Sequence, residues 1–219
     1  MLILGLTGGI AMGKSTAAGL FRAHGVPVFD ADAAVHRLLA PGGDAVAAVR
    51  NAFPGTIGPD GGVDRAAVGR AVFGDDRALA RLEAILHPLV QAAERSWLAA
   101  QARAGRAVAV LDVPLLLETG GEQRVDVVAV VSAPAFLQAQ RVLRRNGMTQ
   151  ARLDAIRARQ MPDREKRKRA DFVLQSGLDR RATGRQIGAL VDALRTGRHP
   201  GPRAWPDAWP DRTRTGTTP

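Results

Sequence analysis

The pattern of apolar and polar positions divides most of the chain into short apolar runs and longer segments with helical periodicity. Apolar runs without polar alternation predict buried strands; they span residues 2–6, 26–29, 107–111, 125–131 and, more weakly, 172–174. Apolar residues recur at helical spacing in residues 15–24, 134–145, 149–160 and 179–195. Strands that alternate with helices predict an α/β fold, with a parallel five-stranded sheet and helices on both faces.

Between the second and third strands lies a long alanine-rich segment, from residue 33 to about 105. Its helical pattern is interrupted at 41–43, at 53–62 and at His87-Pro88, where glycine and proline predict breaks. The segment is too long for a simple crossover, so we expect a helical substrate-binding subdomain there. The predicted domain, residues 1–200, then has its core in residues 1–32, 106–135 and 170–197.

Composition restricts the classes of function. The formal charge of +10 comes mostly from arginine, but aromatic residues make up only 4% and tyrosine is absent, which leaves few stacking platforms for nucleic acid. No apolar stretch reaches the roughly 18 residues of a membrane span. Cysteine is absent, which suits a cytoplasmic protein. We therefore expect no nucleic acid or membrane partner, and residues 201–219, rich in Pro, Gly and Arg, form a predicted flexible basic tail.

Gly8 to Ser15 fits the pattern G-x-x-x-x-G-K-[ST] and lies between a predicted strand and a predicted helix. In such a phosphate loop (P-loop), glycines let successive backbone N–H groups converge on phosphate oxygens, and the helix N-terminus adds positive potential. The lysine reaches the β- and γ-phosphates, and the serine hydroxyl ligates Mg²⁺. The predicted ATP contacts are Gly8, Gly9, Ala11, Met12, Gly13, Lys14, Ser15 and Thr16.

The P-loop by itself indicates a nucleoside triphosphate and not a reaction. A guanine-reading switch would carry an Asn-Lys-x-Asp segment. The chain has three lysines, Lys14, Lys166 and Lys168, and none follows an asparagine. A GTPase switch is therefore not expected.

Acidic residues end two of the predicted strands. Asp30 and Asp32 follow the second strand, and Asp112 closes the third. Ligands of open α/β sheets bind at the carboxyl ends of strands, so a carboxylate there can accept a proton from an attacking hydroxyl or help to hold Mg²⁺. We expect Asp32 to be the base, Asp30 to cap the following helix or support the site, and Asp112 to be a metal ligand. His36 shares a helix face with Asp32 if the helix begins there.

A basic segment follows the fourth strand. Arg141 and Arg145, four residues apart on a predicted helix, would face a polyphosphate together. Phosphoryl transfer needs cationic stabilisation and exclusion of water, so we expect residues 136–169 to form a lid. Arg141 is the predicted catalytic cation, and Arg145 is a predicted ATP contact. Arg159, Lys166 and Lys168 are weaker candidates in or near the charged loop that follows.

Several short motifs, in order, resemble the dephospho-CoA kinase family over about residues 1–195. Besides the P-loop they are Asp30-Ala31-Asp32 with His36, Leu86-His87-Pro88-Leu89, Asp112-Val113-Pro114 through Glu118, Gln140 through Gly147, Ala158-Arg159-Gln160, Lys166 and Ala170 through Val173. The resemblance implies ATP-dependent phosphorylation of the ribose 3′-hydroxyl of dephospho-CoA, the last step of coenzyme A synthesis, with Mg²⁺. It implies Lys14, Asp32 and Arg141 as catalytic residues. The expected acceptor contacts are Asp32, His36, His87, Leu115, Leu116 and Glu118.

Some of these roles have structural alternatives: a helix boundary for His87, an apolar plug for Leu115–Leu117 and a loop cap for Glu118. The chain also departs from the family, which usually has Gly-Ser where Ala11-Met12 stand; we expect Met12 to point outward with a modest effect. Gln175-Ser176-Gly177 replaces a segment that usually contains Asn, which puts side-chain recognition of adenine there in question.

Two other functions compete with this one. The first is another small-molecule kinase of the nucleoside-monophosphate or shikimate type, and the second is a basic nucleotide-dependent module that binds nucleic acid. The sequence leaves the oligomeric state open, a monomer being one option.

Overall fold

The computed structural model describes residues 1–197, so the tail predicted for residues 201–219 lies outside the described part. The sheet has five strands in the order β2-β3-β1-β4-β5. Its strands are β1 (Leu2–Thr7), β2 (Val28–Asp30), β3 (Val108–Asp112), β4 (Val127–Ser132) and β5 (Phe172–Gln175). Parallel pairing joins β1 to β3 and β4, and β4 to β5. The predicted α/β fold with a parallel five-stranded sheet is confirmed.

The helices in the described part, in chain order, are α1 (Lys14–Ala23), α2 (Ala31–Leu39), α3 (Val46–Ala52), α4 (Arg65–Val72), α5 (Asp76–Arg103), α6 (Ala135–Leu143), α7 (Gln150–Arg159), α8 (Asp163–Arg169) and α9 (Arg180–Thr196). A short 3₁₀ turn spans Gly121–Arg124.

The chain divides into two compact units. The first contains Met1–Phe29 and the described residues from Gly105 onward. One face of its sheet packs against α1 and α9 through a core that includes Leu6, Phe21 and Ile187. The other face carries a smaller cluster that includes Leu116 and Ala170. Unbroken apolar strands are buried on both faces, as parallel sheets require.

The second unit, Asp30–Ala104, is helical and contains α2 to α5. The break expected at His87-Pro88 is wrong, because α5 runs without interruption from Asp76 to Arg103 with Pro88 inside it. Proline removes one helical hydrogen bond and strains the preceding turn. Apolar residues on both sides of Pro88, such as Leu86 and Val90, pack against the core of this unit, and their burial holds the helix together.

The charged segment after α7 also differs from expectation. It is a helix, α8, and not a loop, and the side chain of its Lys166 is fully buried. No helix in the part of the chain that the structure describes is long and apolar enough to cross a membrane.

Candidate active site

The phosphate loop connects β1 to α1 and depends on its small residues. Gly13 has φ 92°. A Cβ on Gly8 would lie 2.7 Å from the carbonyl oxygen of Val131, and a Cβ on Gly13 would lie 2.9 Å from Ser176 Oγ. Ala11 adopts φ 57°, and it is the one non-glycine residue with positive φ among residues 1–197. The loop therefore has the left-handed turns of a phosphate cradle, one of them made by a residue with a Cβ.

Both backbone groups of Ile10 are hydrogen-bonded to glutamine side chains. Gln138 Nε2, on α6, donates to the Ile10 carbonyl oxygen at 3.0 Å. The Ile10 N–H donates to Oε1 of Gln160, the residue that follows α7 as its C-cap, at 3.0 Å. Arg157 donates to Gln138 Oε1 through Nη2 at 2.7 Å and Nε at 3.1 Å. No sequence pattern pointed to Gln138 or Arg157, and Gln160 was identified only as part of a motif.

Met12 lies inside the protein, so the expectation that it points outward is wrong. Its side chain is 3% exposed, and its sulfur accepts the Ala133 N–H at 3.2 Å. Its carbonyl oxygen accepts the hydroxyl of Ser176, which follows β5. An unbranched thioether fills irregular space between packed segments, and here that space lies between the loop and the end of β4.

Lys14 and Asp112 form an ion pair with 2.6 Å between Lys14 Nζ and Asp112 Oδ1. Their side chains are 16% and 5% exposed, respectively. Lys14 begins α1 and Asp112 ends β3, which neighbours β1, so the sheet topology brings them together. The prediction that Asp112 closes a strand beside the phosphate loop is confirmed by this geometry.

The oxygen donors near the loop suit a magnesium ion. Ser15 lies exposed in the first turn of α1, and the Asp112 carboxylate, at the end of β3, pairs with the preceding residue, Lys14. Mg²⁺ prefers oxygen ligands and keeps several waters, using one or two protein side chains together with substrate phosphates. No cluster of three or more His, Cys, Asp or Glu residues occurs within residues 1–197, so an all-protein cage is absent there. The predicted pair, Ser15 and Asp112, fits this sparse coordination.

Arg141 lies against the phosphate loop. Its Nη2 donates to the Ser176 carbonyl oxygen at 2.7 Å, and its Nη1 lies 3.4 Å from the Ala11 carbonyl oxygen and 3.3 Å from Ser176 Oγ. Arg145 does not share its helix, because α6 ends at Leu143. The side-by-side arrangement inferred from four-residue spacing is therefore wrong, and an ATP contact by Arg145 stays a prediction.

The loop after β3 contains core residues. Leu116 is fully buried and packs on Gly5 and Gly121, so its predicted contact with the acceptor is wrong. Leu115 is 38% exposed, and its role stays a prediction. Glu118 Oε1 accepts the Met161 N–H at 2.9 Å and lies 2.7 Å from Lys166 Nζ. Glu118 and the buried Lys166 therefore pair with each other. The sequence had instead suggested that Glu118 contacts the acceptor and that Lys166 is a cation of the lid.

A cavity of about 300 Å³ adjoins the phosphate loop. Its walls come from the loop, α6 and the α7–α8 junction, and they include Gly9, Met12, Gln138, Arg157, Gln160 and Asp163. Asp163 Oδ2 accepts the hydroxyl of Ser132 at 2.8 Å. Burial raises the pKa of the Asp163 carboxyl, although the Ser132 hydrogen bond and the nearby Arg167 and Lys166 oppose the shift.

The remaining predicted residues lie in the second unit. Asp30 caps α2 by accepting the Ala33 N–H at 2.9 Å. Asp32 and His36 are both exposed on that helix, one turn apart. His36 Nδ1 lies 3.5 Å from Nη1 of Arg65, which the sequence analysis did not single out. His87 is exposed in the middle of α5.

A phosphate loop between the first strand and first helix of a parallel sheet, with its lysine paired to an aspartate at a strand end, defines a P-loop protein that binds a nucleoside triphosphate. The family model of dephospho-CoA kinase matches residues 2–179. The chain belongs to the dephospho-CoA kinase family.

Individual relatives agree with this membership. A dephospho-CoA kinase from Paramagnetospirillum magneticum is 66% identical over 167 residues, which are 76% of this chain and 78% of that protein. One from Mesorhizobium japonicum is 54% identical over 195 residues, 89% of this chain and 98% of that protein.

Solved structures support the same fold. A Thermus thermophilus structure superposes with a TM-score of 0.76 at 35% identity and covers 88% of this chain and 97% of its own. A dephospho-CoA kinase from Campylobacter jejuni superposes with a TM-score of 0.68 and covers 89% of this chain and 98% of its own; at 22% identity it supports the fold alone.

Proposed function

We propose that the protein transfers the γ-phosphoryl group of ATP to the ribose 3′-hydroxyl of dephospho-CoA, which yields coenzyme A and ADP. The observation that carries this proposal is a complete phosphate loop, with Lys14 held at Asp112, in a chain of this family. Relatives named for this activity are 50–66% identical to the chain over most of its length.

On the ATP side, the amides from Ala11 to Ser15 bind the phosphates. Lys14 is held by Asp112 before nucleotide arrives and then moves its ammonium to the β- and γ-phosphate oxygens. A bound Mg²⁺ would supply neutralisation of the charge that develops on the phosphates. Ser15 and Asp112 are the residues that would hold it.

Arg141 serves the transferred phosphoryl group. It already lies beside the loop, and its other N–H groups are available in the fork geometry of a guanidinium. An arginine that contacts the phosphoryl group during transfer stabilises the transition state more than the ground state. The hydrogen bond from Arg141 to the Ser176 carbonyl oxygen fixes the guanidinium beside the loop before transfer.

On the acceptor side, Asp32 positions the ribose hydroxyl and takes its proton. Asp30 has its side chain bonded to the Ala33 N–H as a helix cap, which leaves Asp32 as the exposed carboxylate of the pair. His36 and Arg65, close to each other in the same unit, are suited to the anionic groups of the acceptor.

The test is a coupled assay of ADP release with dephospho-CoA as acceptor, in parallel with shikimate and nucleoside monophosphates. We expect release with dephospho-CoA and a product that is phosphorylated at the 3′-hydroxyl, identified by NMR. Lys14→Ala is the control for contaminating kinases, because it lacks the phosphate-binding charge. Comparable turnover with shikimate or a nucleoside monophosphate, or none with dephospho-CoA, would show that the substrate assignment is wrong.

A further inference from the structure

Ile10 of the phosphate loop is held by two helices at once. Its carbonyl oxygen accepts from Gln138 on α6, and its N–H donates to Gln160 at the end of α7, both at 3.0 Å. Arg157, also on α7, donates twice to Gln138. These hydrogen bonds close a ring through α7, α6 and the loop, which we call the glutamine clamp (Gln138, Gln160 and Arg157 around Ile10).

The clamp needs an amide at Gln138, which both donates and accepts, and an acceptor oxygen at Gln160. The arginine guanidinium only donates, so the oxygen of Gln138 must face Arg157 and its NH₂ group must face the Ile10 carbonyl. The Ile10 N–H likewise requires the oxygen of Gln160. Gln138 is a buried polar residue, and a buried amide without partners is unfavourable. Each amide orientation is thus fixed by its partners.

The position of Ile10 decides what the clamp controls. Ile10 precedes Ala11, whose φ of 57° starts the run of amides that bind phosphate. A loop that is ordered before its ligand arrives loses less conformational entropy on binding. We propose that Gln138 and Gln160 are positioning residues, which order the phosphate loop for polyphosphate through the two backbone groups of Ile10.

The Gln160 side of the clamp is anchored to the sheet. The next residue, Met161, donates its N–H to Glu118 at 2.9 Å. Glu118 in turn pairs with Lys166, whose side chain is 0% exposed. Removing one partner of a buried ion pair is strongly destabilising, because it leaves the other charge buried and uncompensated. Gln160 is therefore fixed relative to β3 and α8, and Glu118 acts here as its support.

The inference rests on the proposed use of the loop for ATP, but it does not depend on the identity of the acceptor. Inorganic tripolyphosphate is accordingly the first probe, because it contacts the cradle without a base or an acceptor. The test variants are Gln138→Met and Gln160→Met, which keep length and remove the hydrogen bonds. The matched control is Gln140→Met, an exposed glutamine on α6.

Titration calorimetry should show tripolyphosphate and ATP bound about tenfold more weakly by either test variant, the scale of one net hydrogen bond. The control should bind as the parent does. Binding of dephospho-CoA should change less than twofold, and the KM for ATP should rise more than kcat falls. Unchanged tripolyphosphate affinity in both variants, or an equal loss of dephospho-CoA affinity, would overturn the proposal.

Amide hydrogen exchange of Ile10 is measured without ligand. A glutamate introduced near the phosphate loop can therefore be tested without its charge repelling bound phosphate. Gln160→Met should accelerate this exchange while the core strands remain protected. Gln160→Glu retains an acceptor oxygen and should keep the Ile10 amide protected. Exchange that is equally slow in all three proteins would show that Gln160 does not hold Ile10, and that result would also overturn the proposal.

Discussion

Replacing Ala11 by glycine is expected to make the protein more stable, although glycine substitutions usually destabilise. Ala11 has φ 57°, in the left-handed region where the Cβ of an L-residue crowds the backbone. Glycine has no Cβ and adopts this conformation readily. Because the loop binds phosphate through backbone amides, the substitution leaves the binding groups in place.

The magnitude follows from two opposing terms. The left-handed conformation costs an L-residue about 1–2 kcal/mol, which the glycine variant recovers. Glycine also gives the unfolded chain more freedom, which removes about 0.4–1 kcal/mol. The net gain is between about 0 and about 1.6 kcal/mol, which is at most about 6 °C in melting temperature for a chain of this size. Turnover should stay within about twofold of the parent, since no binding group is lost.

Thermal and denaturant unfolding of Ala11→Gly and Ala92→Gly provide the comparison. Ala92 is exposed within helix α5, where glycine costs about 1 kcal/mol relative to alanine. The two variants make the same chemical change, and we expect opposite signs. If Ala11→Gly loses as much stability as Ala92→Gly, the left-handed conformation of Ala11 is not a source of strain, and the reasoning fails.

Three further predictions concern charged groups. Lys14→Ala should nearly abolish turnover and lower the melting temperature, because the ion pair of 2.6 Å with Asp112 is lost; adding Asp112→Asn removes the charge that Lys14 compensated and should recover part of the stability but not turnover. Asp32→Asn should lower the rate of single-turnover transfer by a factor of about 10² or more, with substrate affinity kept within a few-fold. Asp30→Ala should cost about 1 kcal/mol of stability, because the cap of α2 is lost, and should leave transfer largely intact. Burial raises the folded-state pKa of Asp163, so the free energy of unfolding should fall as pH rises from the ordinary aspartate pKa through the raised one. Asp163→Asn lacks this titration. In denaturant unfolding at several pH values, the variant should therefore be more stable than the parent near neutral pH, and the difference should vanish in acid.

The order of strands and helices could be predicted because each strand is an unbroken apolar run, and such runs form only when a sheet is covered on both faces. The two wrong predictions of secondary structure have local causes. Proline predicted a break at His87-Pro88, but tertiary packing on both sides of it keeps α5 continuous. The run of charges at residues 163–169 predicted a loop, yet it forms α8, with the buried Lys166 paired to Glu118.

The candidate site was predictable where the chemistry is local in sequence. The spacing of the phosphate loop identifies Lys14 and Ser15, and the end of a strand identifies Asp112. The supports of the loop could not be predicted this way, because Gln138 lies 128 residues from Ile10 and Ser176 lies 164 residues from Met12. Only the folded sheet brings β4, β5 and the loop together.

Cations of the basic segment form ion pairs and hydrogen bonds within the chain, and these pairs are relevant to the alternative function of a module that binds nucleic acid. Binding to a phosphate backbone needs cations that are exposed and unpaired, since affinity comes from neutralising phosphates. In the described part of α7 and α8, four cations have side-chain partners in the same chain; the pairs are Arg157 with Gln138, Lys166 with Glu118, Lys168 with Glu165 and Arg169 with Glu122. Two of the partners, Glu118 and Glu122, belong to the segment after β3. Lys166 and Arg169 therefore fasten α8 to the segment after β3, and these two cations serve the structure of the kinase domain and not a nucleic-acid surface.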